Sequence, residues 1–275
     1  MVKTALITGA TRGIGRSIAL QLGQKGYQVI VNGTKQTLVD EVVQEIRHMG
    51  GEALGCCADV ADPSAVTSMV DAVIAKYSCI DVLIHNAGIV RDQKCLLMTD
   101  EEWHSVLNVH LNGAFYCIQR VLPYFPEGGG DILLMTSTAG LSGSAYQVNY
   151  SAAKAGMLGI VWTLAAELRR NRIRVNAISP AALTDMTRPV IEYLKEKCAS
   201  RNEPFPEFWK VGEAGDVARF AAALLAQPDQ ELTGEIFGVN GSKVTKWQKP
   251  TMAFSENGPE AFFETWRRER KGKEN

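Results

Sequence analysis

The strongest constraint on the fold is an alternation of short apolar runs with segments of helical periodicity, which starts with the first residues. Residues 4–8 form a compact apolar run, and Ile14, Ile18 and Leu22 then recur at every fourth position, as on one face of a helix. Further runs that predict strands lie at residues 28–32, 53–57, 80–84, 132–136, 173–178 and 235–239. Strands that alternate with helices predict right-handed crossovers. We therefore expect an α/β fold in which helices flank a seven-stranded parallel sheet.

Periodicity and capping signals predict the helices between these strands. Thr99 followed by Glu102 is a capping-box pattern, and it predicts one long helix through residues 103–115. Pro63 suits the first turn of another helix, where its missing N–H is not needed. Helical patterns also cover residues 38–49, 152–168 and 216–225. Residues 184–212 are less regular, and the whole chain is expected to form one doubly wound domain with a C-terminal extension.

Composition excludes several classes of function. The net charge of −1 gives no electrostatic basis for binding nucleic acid or an anionic membrane surface. No apolar stretch has the length of a membrane-spanning helix, and we expect no targeting signal. The six cysteines show neither a CxxC pair nor zinc-like spacing with histidine, so we expect no metal site. We interpret all six as reduced packing residues of a cytoplasmic protein.

The glycine-rich turn between the first predicted strand and the first helix is a candidate anion site. Gly9, Gly13 and Gly15 let a ligand approach the main chain, and free N–H groups at a helix start attract a pyrophosphate. The spacing differs from GxGxxG, and no Gly-Lys-Ser/Thr follows as in a P-loop. A tight turn alone could also use three glycines. Because the turn joins a strand to a helix, we favour a dinucleotide site in a Rossmann-type domain.

Ser137, Tyr150 and Lys154 form the candidate catalytic group. Tyr150 and Lys154 lie four residues apart at the start of a predicted helix and so share one face. Ser137 lies at the carboxyl end of the fifth predicted strand, the sheet edge at which ligands of such folds bind. A phenol has a pKa of about 10, and a nearby ammonium lowers it toward the range useful for proton transfer. We expect Tyr150 to be the general acid/base, Lys154 its electrostatic modulator and Ser137 the residue that orients the substrate oxygen.

These motifs resemble the short-chain dehydrogenase/reductase family. The resemblance extends over residues 3–241 and rests above all on the glycine turn and on the order and spacing of Ser137, Tyr150 and Lys154. Within the family, the chain is most similar to 3-oxoacyl-(acyl-carrier-protein) reductases and 3-hydroxyacyl dehydrogenase domains. The resemblance implies an oxidoreductase that transfers a hydride between a nicotinamide and a carbonyl or secondary alcohol.

The resemblance also implies a set of cofactor contacts. Asp59-Val60 is similar to the pair that contacts adenine in the family, and Asn86-Ala87-Gly88 is similar to the segment that stabilises the central sheet beside the cofactor. The segment after the sixth strand is similar to the one that contacts the nicotinamide amide, although Ala181 replaces the usual glycine. The residues implied at the cofactor are Gly9, Thr11, Arg12, Gly13, Ile14, Gly15, Lys35, Asp59, Val60, Asn86, Ala87, Gly88, Tyr150, Lys154, Pro180 and Thr184.

The end of the second strand favours NADP(H) over NAD(H). An acidic residue there hydrogen-bonds the ribose 2′-hydroxyl of NAD and repels a 2′-phosphate. This chain has Gly33 at that position, with Lys35 close behind and Arg12 in the glycine turn. Either cation alone is commonly just surface charge. Together with the missing acid, they predict that the cofactor is NADP(H).

One position departs from the family pattern. The segment from Asn108 to Gly113 resembles the one that carries the fourth member of the catalytic tetrad, normally an asparagine, but here the residue is His110. In the family, the main-chain carbonyl at this position holds a water connected to the lysine. We include His110 among the catalytic residues, on the hypothesis that it preserves or extends this proton relay. A helix histidine with a packing role is an equally good interpretation.

Substrate, assembly and domain limits are expected from the resemblance. Residues 1–242 would form the dinucleotide-binding and catalytic domain, with a substrate loop at about residues 185–212. The substrate is a small carbonyl or alcohol, with a carrier-bound 3-oxoacyl thioester as one candidate. A homotetramer or homodimer would form through helices near residues 103–121 and 152–168. Five aromatic residues would be unfavourable in a free tail, so we expect residues 243–275 to dock on the body or on a neighbouring subunit.

Two alternative functions remain open at this point. The first is a catalytically silent NADP-binding or scaffold protein on the same fold, because a fold does not determine function. The retained Ser137, Tyr150 and Lys154 argue against it. The second is a nucleotide-sugar epimerase, which shares the Tyr-x-x-x-Lys chemistry. The glycine spacing and the compact length fit the reductases better.

Overall fold

A nine-stranded sheet forms the centre of the molecule. The computed structural model describes residues 2–271. The strands are β1 (Thr4–Ile7), β2 (Gln28–Gly33), β3 (Glu52–Cys57), β4 (Val82–His85), β5 (Gly130–Met135), β6 (Ile173–Leu183), β7 (Gly212–Glu213), β8 (Ile236–Asn240) and β9 (Lys243–Trp247). Their spatial order is β3-β2-β1-β4-β5-β6-β8-β9, and the short β7 pairs with β6 outside this path. The strands from β3 to β8 along the path are parallel, which confirms the expected seven-stranded parallel sheet.

Helices connect the strands. They are α1 (Gly13–Gln24), α2 (Gln36–His48), α3 (Pro63–Tyr77), α4 (Asp100–Leu107), α5 (Gly113–Val121), α6 (Thr138–Ser142), α7 (Val148–Glu167), α8 (Arg188–Ser200), α9 (Ala214–Leu225) and α10 (Pro259–Lys271). The capping box predicted at Thr99 and Glu102 is present at the start of α4, and Pro63 lies in the first turn of α3. Among residues 2–271, no helix combines the length and the apolar composition needed to cross a lipid bilayer.

The hydrophobic core lies on both faces of the sheet, as a doubly wound fold requires. One cluster packs α1, α2 and α9 against the sheet, with Ile18, Val39 and Ala221 fully buried. The other packs α3, α5 and α7 against the opposite face. The central strands are therefore apolar on both sides, which explains their nearly continuous apolar sequences.

The strand order places the candidate site. The first three strands run outward from β1 to β3 at one edge, and β4 then returns to the other side of β1. Ligands of open parallel sheets bind at the carboxyl ends of the strands beside such a reversal. Gly9 follows β1, Asn86 follows β4 and Ser137 follows β5 at this edge. The fold therefore brings together residues that are far apart in the sequence.

Two sequence-based predictions of regular structure are corrected. The long helix expected through residues 103–115 is interrupted by a π-helical turn at Asn108–Asn112. Among residues 103–115, the buried side chains are Val106 before the π-helical turn, His110 within it and Ala114 after it, whereas Phe115 is half exposed. The less regular stretch of residues 184–212 contains α8, whose Ile191 and Cys198 are its buried side chains.

The extension of residues 243–275 begins with a strand that the sequence did not predict. Strand β9 pairs antiparallel with β8, from Ile236 opposite Trp247 to Asn240 opposite Lys243. Its side chains are exposed, so it lacks the apolar pattern of the other strands. Further on, the Phe254 and Phe262 rings pack 5.0 Å apart. Docking of the extension on the body or on a neighbouring subunit stays a prediction, and residues 272–275 lie outside the described part of the chain.

Candidate active site

The glycine turn after β1 brings its main chain against the end of β4. Gly9 and Gly13 have φ angles of +61° and +53°, which side chains other than glycine rarely adopt. A Cβ atom on Gly9 would lie 2.7 Å from the Cα of Ala87, and one on Gly15 would lie 2.3 Å from the Gly9 carbonyl oxygen. The N–H groups in the first turn of α1 have no acceptors within the helix. The turn therefore presents main-chain donors that an anion can approach closely.

Hydrogen bonds hold this turn on the neighbouring strand. The Thr8 hydroxyl oxygen accepts the main-chain N–H groups of Asn86 at 3.0 Å and of Ala87 at 3.1 Å. In return, the Asn86 side-chain amide donates to the carbonyl oxygens of Gly9 at 2.9 Å and of Thr8 at 3.2 Å. Asn86 thus fixes the shape of the glycine turn from outside the turn itself.

Asn32 has a similar role that the sequence analysis missed. Its side chain is almost fully buried near the end of β2, where its Nδ2 donates to the carbonyl oxygens of Cys56 and Ala58. Its Oδ1 accepts the Gly9 N–H at 3.4 Å. A polar residue near the end of an otherwise apolar strand was the available signal, because a buried amide must find partners.

The end of β2 has the features expected of a 2′-phosphate site. Gly33 lies under Thr11, whose methyl carbon is 2.4 Å from the position that a Cβ on Gly33 would take. Arg12 precedes α1 and Lys35 precedes α2, and both side chains are exposed. Neither cation has a carboxylate partner among residues 2–271. Two unpaired cations beside a position without an acid fit a phosphate dianion.

Of the other predicted cofactor residues, Thr184 contacts the glycine turn, whereas Val60 and Asp59 have contacts elsewhere. The Thr184 methyl carbon is 3.4 Å from the position of a Cβ on Gly13, so the segment after Pro180 closes over the glycine turn. Val60 is buried and packs against Gly113. A Cβ atom added to Gly113 would lie 3.0 Å from the Cγ2 of Val60. Asp59 is exposed, and its carboxylate accepts the N–H of Ala61 at 2.9 Å in its own turn.

The structure brings Ser137, Tyr150 and Lys154 together. Ser137 lies two residues after the end of β5 and is the N-cap of α6, where its Oγ accepts the Ala139 N–H at 3.2 Å. The same hydroxyl is near enough to the Tyr150 phenol to act on the pKa of that phenol. The Lys154 Nζ lies 5.5 Å from the centre of the Tyr150 ring and donates to the Met135 carbonyl oxygen at 2.5 Å. The three side chains therefore meet at the carboxyl edge of the sheet.

Burial controls the ionisation of this group. It lowers the pKa of Lys154 to about 7, because the ammonium loses its hydration. It also raises the pKa of Tyr150, and the Asp92 carboxylate adds to this increase, while the hydrogen bond with Ser137 acts in the opposite direction. The expected lowering of the Tyr150 pKa is therefore not found in the protein alone. Desolvation of the phenolate outweighs the effect of the neighbouring groups.

His110 lies beside the catalytic group, within the π-helical turn. Its ring meets the Tyr150 ring edge-on at 5.2 Å and covers Gly88, where a Cβ would lie 2.3 Å from the His110 Cε1. The Nε2 atom lies 2.8 Å from the Ile89 carbonyl oxygen. The Nδ1 atom is buried and has no partner in the part of the chain that the structure describes. Burial holds the pKa of His110 well below its usual value, so the ring is neutral.

A second buried histidine, His85, links the glycine turn to the π-helical turn. The Thr8 hydroxyl already accepts two main-chain N–H groups, so its own proton points to the His85 Nδ1, 3.2 Å away. Burial lowers the pKa of His85 to about 3, so the ring is neutral and carries its proton on Nε2. The main-chain carbonyls of Val109 and His110 lie beside this ring and oppose the lowering of its pKa, but the Nε2 atom has no hydrogen-bond partner among the described residues.

Comparison with known proteins identifies the family. The family model for short chain dehydrogenases matches residues 3–194. The chain belongs to the short-chain dehydrogenase family. It is 39% identical over 245 residues to the 3-oxoacyl-(acyl-carrier-protein) reductase FabG of Staphylococcus aureus, covering 88% of this chain and 98% of that protein. It is 38% identical to the 3-oxoacyl-(acyl-carrier-protein) reductase of Synechocystis, covering 88% of this chain and 97% of that protein.

A solved structure of this family has the same fold. A short chain dehydrogenase from Mycobacterium avium superimposes with a TM-score of 0.79 at 28% sequence identity, covering 93% of this chain and 88% of that one. The resemblance derived from the sequence motifs is therefore confirmed, and so is the α/β fold of Rossmann type. This short-chain dehydrogenase is an oxidoreductase, and its family uses NAD(P)H. Within residues 2–271, no cluster of three or more His, Cys, Asp or Glu side chains is arranged to hold a metal ion.

The close contact of Gly9 with Ala87 predicts a loss of cofactor binding in Gly9→Ala. The added methyl group would displace the glycine turn, so we expect the Kd for NADPH to rise by about tenfold or more in a fluorescence titration. Gly26→Ala is the matched control, because Gly26 also has a positive φ of +82° but has no neighbouring atom of the described residues within 4 Å. Equal Kd values for the two variants would contradict this interpretation.

Proposed function

We propose that this short-chain dehydrogenase is an NADP(H)-dependent ketoreductase whose substrate is a 3-oxoacyl thioester or a related ketone. The observation that carries the proposal is the meeting of Ser137, Tyr150 and Lys154 beside the glycine turn. Nicotinamide, when bound, supplies or accepts the hydride. The side chains of the protein must then orient the reacting oxygen and move one proton, which is the work that these three groups can perform.

The proton route follows from the positions of the side chains. In the direction of reduction, Ser137 donates a hydrogen bond to the substrate oxygen and holds it near the Tyr150 phenol, which gives its proton to that oxygen. Lys154 then returns a proton toward Tyr150. Because the pKa of Lys154 is about 7, its ammonium is present below that pH and is lost as the pH rises through it. The reduction rate is therefore expected to decrease on the alkaline side of neutrality.

NADP(H) is the proposed cofactor because of the charges at the end of β2. Arg12 and Lys35 are the exposed cations that would pair with a 2′-phosphate, and Gly33 occupies the place where a carboxylate would repel it. Gly9, Gly13 and Gly15 would hold the pyrophosphate through main-chain N–H groups. The remainder of the cofactor would lie between Asn86-Ala87-Gly88 and the segment from Pro180 to Thr184.

The substrate class is proposed from the relatives and from the apolar residues near the site. Both relatives described above are named as reductases of 3-oxoacyl groups on an acyl carrier protein. In this chain, the segment beyond Thr184 exposes Met186, Val190, Tyr193 and Phe208, which would suit an acyl chain. We extend to this protein a carrier-bound substrate, a cytoplasmic location and assembly as a homotetramer or homodimer. The catalytic domain would cover residues 1–242, with residues 185–212 as the substrate loop.

The proposed function is tested by NADPH consumption with a panel of ketones that includes 3-oxoacyl thioesters. We expect turnover in the wild type and a decrease of at least about a hundredfold in Tyr150→Phe, because the general acid is lost. Tyr146→Phe is the matched control, since Tyr146 is 59% exposed and lies four residues earlier. Saturable NADPH binding without turnover of any ketone, or of any alcohol with NADP⁺, would instead support a silent NADP-binding protein.

Cofactor preference is tested at Arg12 and Lys35. We expect Arg12→Ala and Lys35→Ala each to raise the KM for NADPH by about tenfold, because a charge-assisted bond to the phosphate is lost. The KM for NADH should remain within about twofold in both variants. Lys25→Ala is the control, because Lys25 is exposed at the other end of α1. Loss of NADH and NADPH binding in parallel would contradict a role for either cation in phosphate recognition.

The relay hypothesis for His110 is tested by the pH profile of turnover. The Nδ1 atom of His110 would take part in the relay by accepting a proton, or a hydrogen bond from a water connected to Lys154. Loss of this side chain should then lower kcat by about tenfold, with the largest decrease above pH 7. His110→Asn restores the residue usual in the family, and His110→Ala removes the side chain. Unchanged pH profiles in both variants would leave His110 with a packing role.

A further inference from the structure

Asn149, the residue before Tyr150, is fully buried, and both polar atoms of its side chain are hydrogen-bonded. Its Oδ1 accepts the Tyr150 N–H at 2.7 Å. Its Nδ2 donates to the carbonyl oxygens of Arg91 at 3.0 Å and of Glu102 at 3.1 Å. A side-chain amide has two N–H donors and one carbonyl acceptor. Each of them therefore has a main-chain partner in a different part of the chain.

These partners belong to three separate elements. Tyr150 lies in the first turn of α7, where N–H groups have no acceptor within the helix. Gln147, which precedes α7, directs its side chain to Asp92 at 2.9 Å, so the Asn149 side chain supplies the missing acceptor. Glu102 lies in the first turn of α4 and completes the capping box there. Arg91 belongs to the connection between β4 and α4, shortly after Gly88.

The connection makes two further contacts with the residues before α7. The Gln93 N–H donates to the Tyr146 carbonyl oxygen at 2.8 Å, and Tyr146 has the unusual φ of +67° for a residue that is not glycine. The Gln147 side chain holds the Asp92 carboxylate. Residues 91–93 are thus joined to residues 146–149 at three consecutive positions. We refer to this set of contacts as the 91–149 clamp.

We propose that Asn149 is a positioning residue for Tyr150. It fixes the first turn of α7 in the 91–149 clamp, and so holds the phenol where Ser137 and Lys154 meet it. The effect of Asn149 on catalysis rests on the proposed acid/base role of Tyr150. The position of Tyr150 can be tested separately, in an experiment that does not depend on turnover. A change at Asn149 therefore acts on proton transfer through Tyr150, without a contact between Asn149 and the substrate.

The structure provides a closely matched control in Asn176. This asparagine is also buried, its Nδ2 donates to the Leu232 carbonyl oxygen at 2.8 Å, and its Oδ1 accepts the Glu235 N–H at 2.9 Å. It lies within β6, away from the carboxyl edge of the sheet. Asn176→Ala should therefore lose a comparable set of bonds without changing the position of Tyr150.

The first measurement is a spectrophotometric titration of the Tyr150 phenol in the full chain. The titration curve of each protein minus that of its Tyr150→Phe counterpart isolates this one tyrosine. In Asn149→Ala the phenol becomes less buried, so we expect its apparent pKa to fall by about half a unit or more. Asn176→Ala should leave it unchanged. An unchanged value in Asn149→Ala, or equal shifts in both variants, would overturn the proposal.

The second measurement is turnover of a ketone with NADPH. We expect kcat to fall by about tenfold in Asn149→Ala while the KM for NADPH stays within about twofold, because proton transfer is affected and cofactor binding is not. Should Asn149→Ala fail to fold, Asn149→Asp replaces it. This variant keeps the shape and the acceptor but places a carboxylate oxygen against two carbonyls. If the wild type reduces no substrate, the proposed function fails, and the titration alone decides the role of Asn149.

Discussion

The close approach of two main-chain segments, after β1 and after β4, is the contact on which the active site depends. At Gly9 and Ala87 the backbones are so near that a single methyl group would not fit between them. Hydrogen bonds from Thr8 and Asn86 join the same two segments in both directions. One segment offers donors for the cofactor phosphates, and the other leads into the connection that contacts the catalytic helix. Their separation therefore determines how far the phosphate site lies from Tyr150.

From this contact, buried polar groups continue through the interior to the Tyr150 ring. The Thr8 hydroxyl donates to His85, and the opposite side of the His85 ring faces the carbonyls of the π-helical turn that carries His110. His110 in turn packs on Gly88 and on the Tyr150 ring. Both histidines are neutral because burial disfavours their charged forms. Neutral rings place no second charge next to the Lys154 ammonium, which burial already destabilises. The His85 Nε2 and the His110 Nδ1 have no hydrogen-bond partner among the described residues.

The sequence predicted most of the sheet and the catalytic group, because both leave local signals. Buried parallel strands are continuous apolar runs, and a tyrosine and lysine four residues apart on a helix share a face. Asn149 left no such signal, since the carbonyl oxygens that it contacts lie 47–58 positions away. Asn32 left only the signal of a polar residue near the end of an apolar strand, and the carbonyl oxygens that it contacts lie 24–26 positions away. Strand β9 was missed because its side chains are exposed and its pairing depends on the edge of β8. The raised pKa of Tyr150 likewise depends on burial, which a motif does not describe.

The packing of Thr11 on Gly33 has a consequence for changing the cofactor of this protein. A designer who wishes to favour NAD(H) would introduce an aspartate at Gly33, but its first carbon would overlap the Thr11 methyl group, 2.4 Å away. The two positions are therefore not independent, and a smaller residue at Thr11 must be installed before, or together with, the acid. Stepwise evolution between the two nicotinamide cofactors faces the same order of events. Preference for one cofactor would thus depend on the steric relation of two adjoining turns, in addition to the charges that we propose for a phosphate.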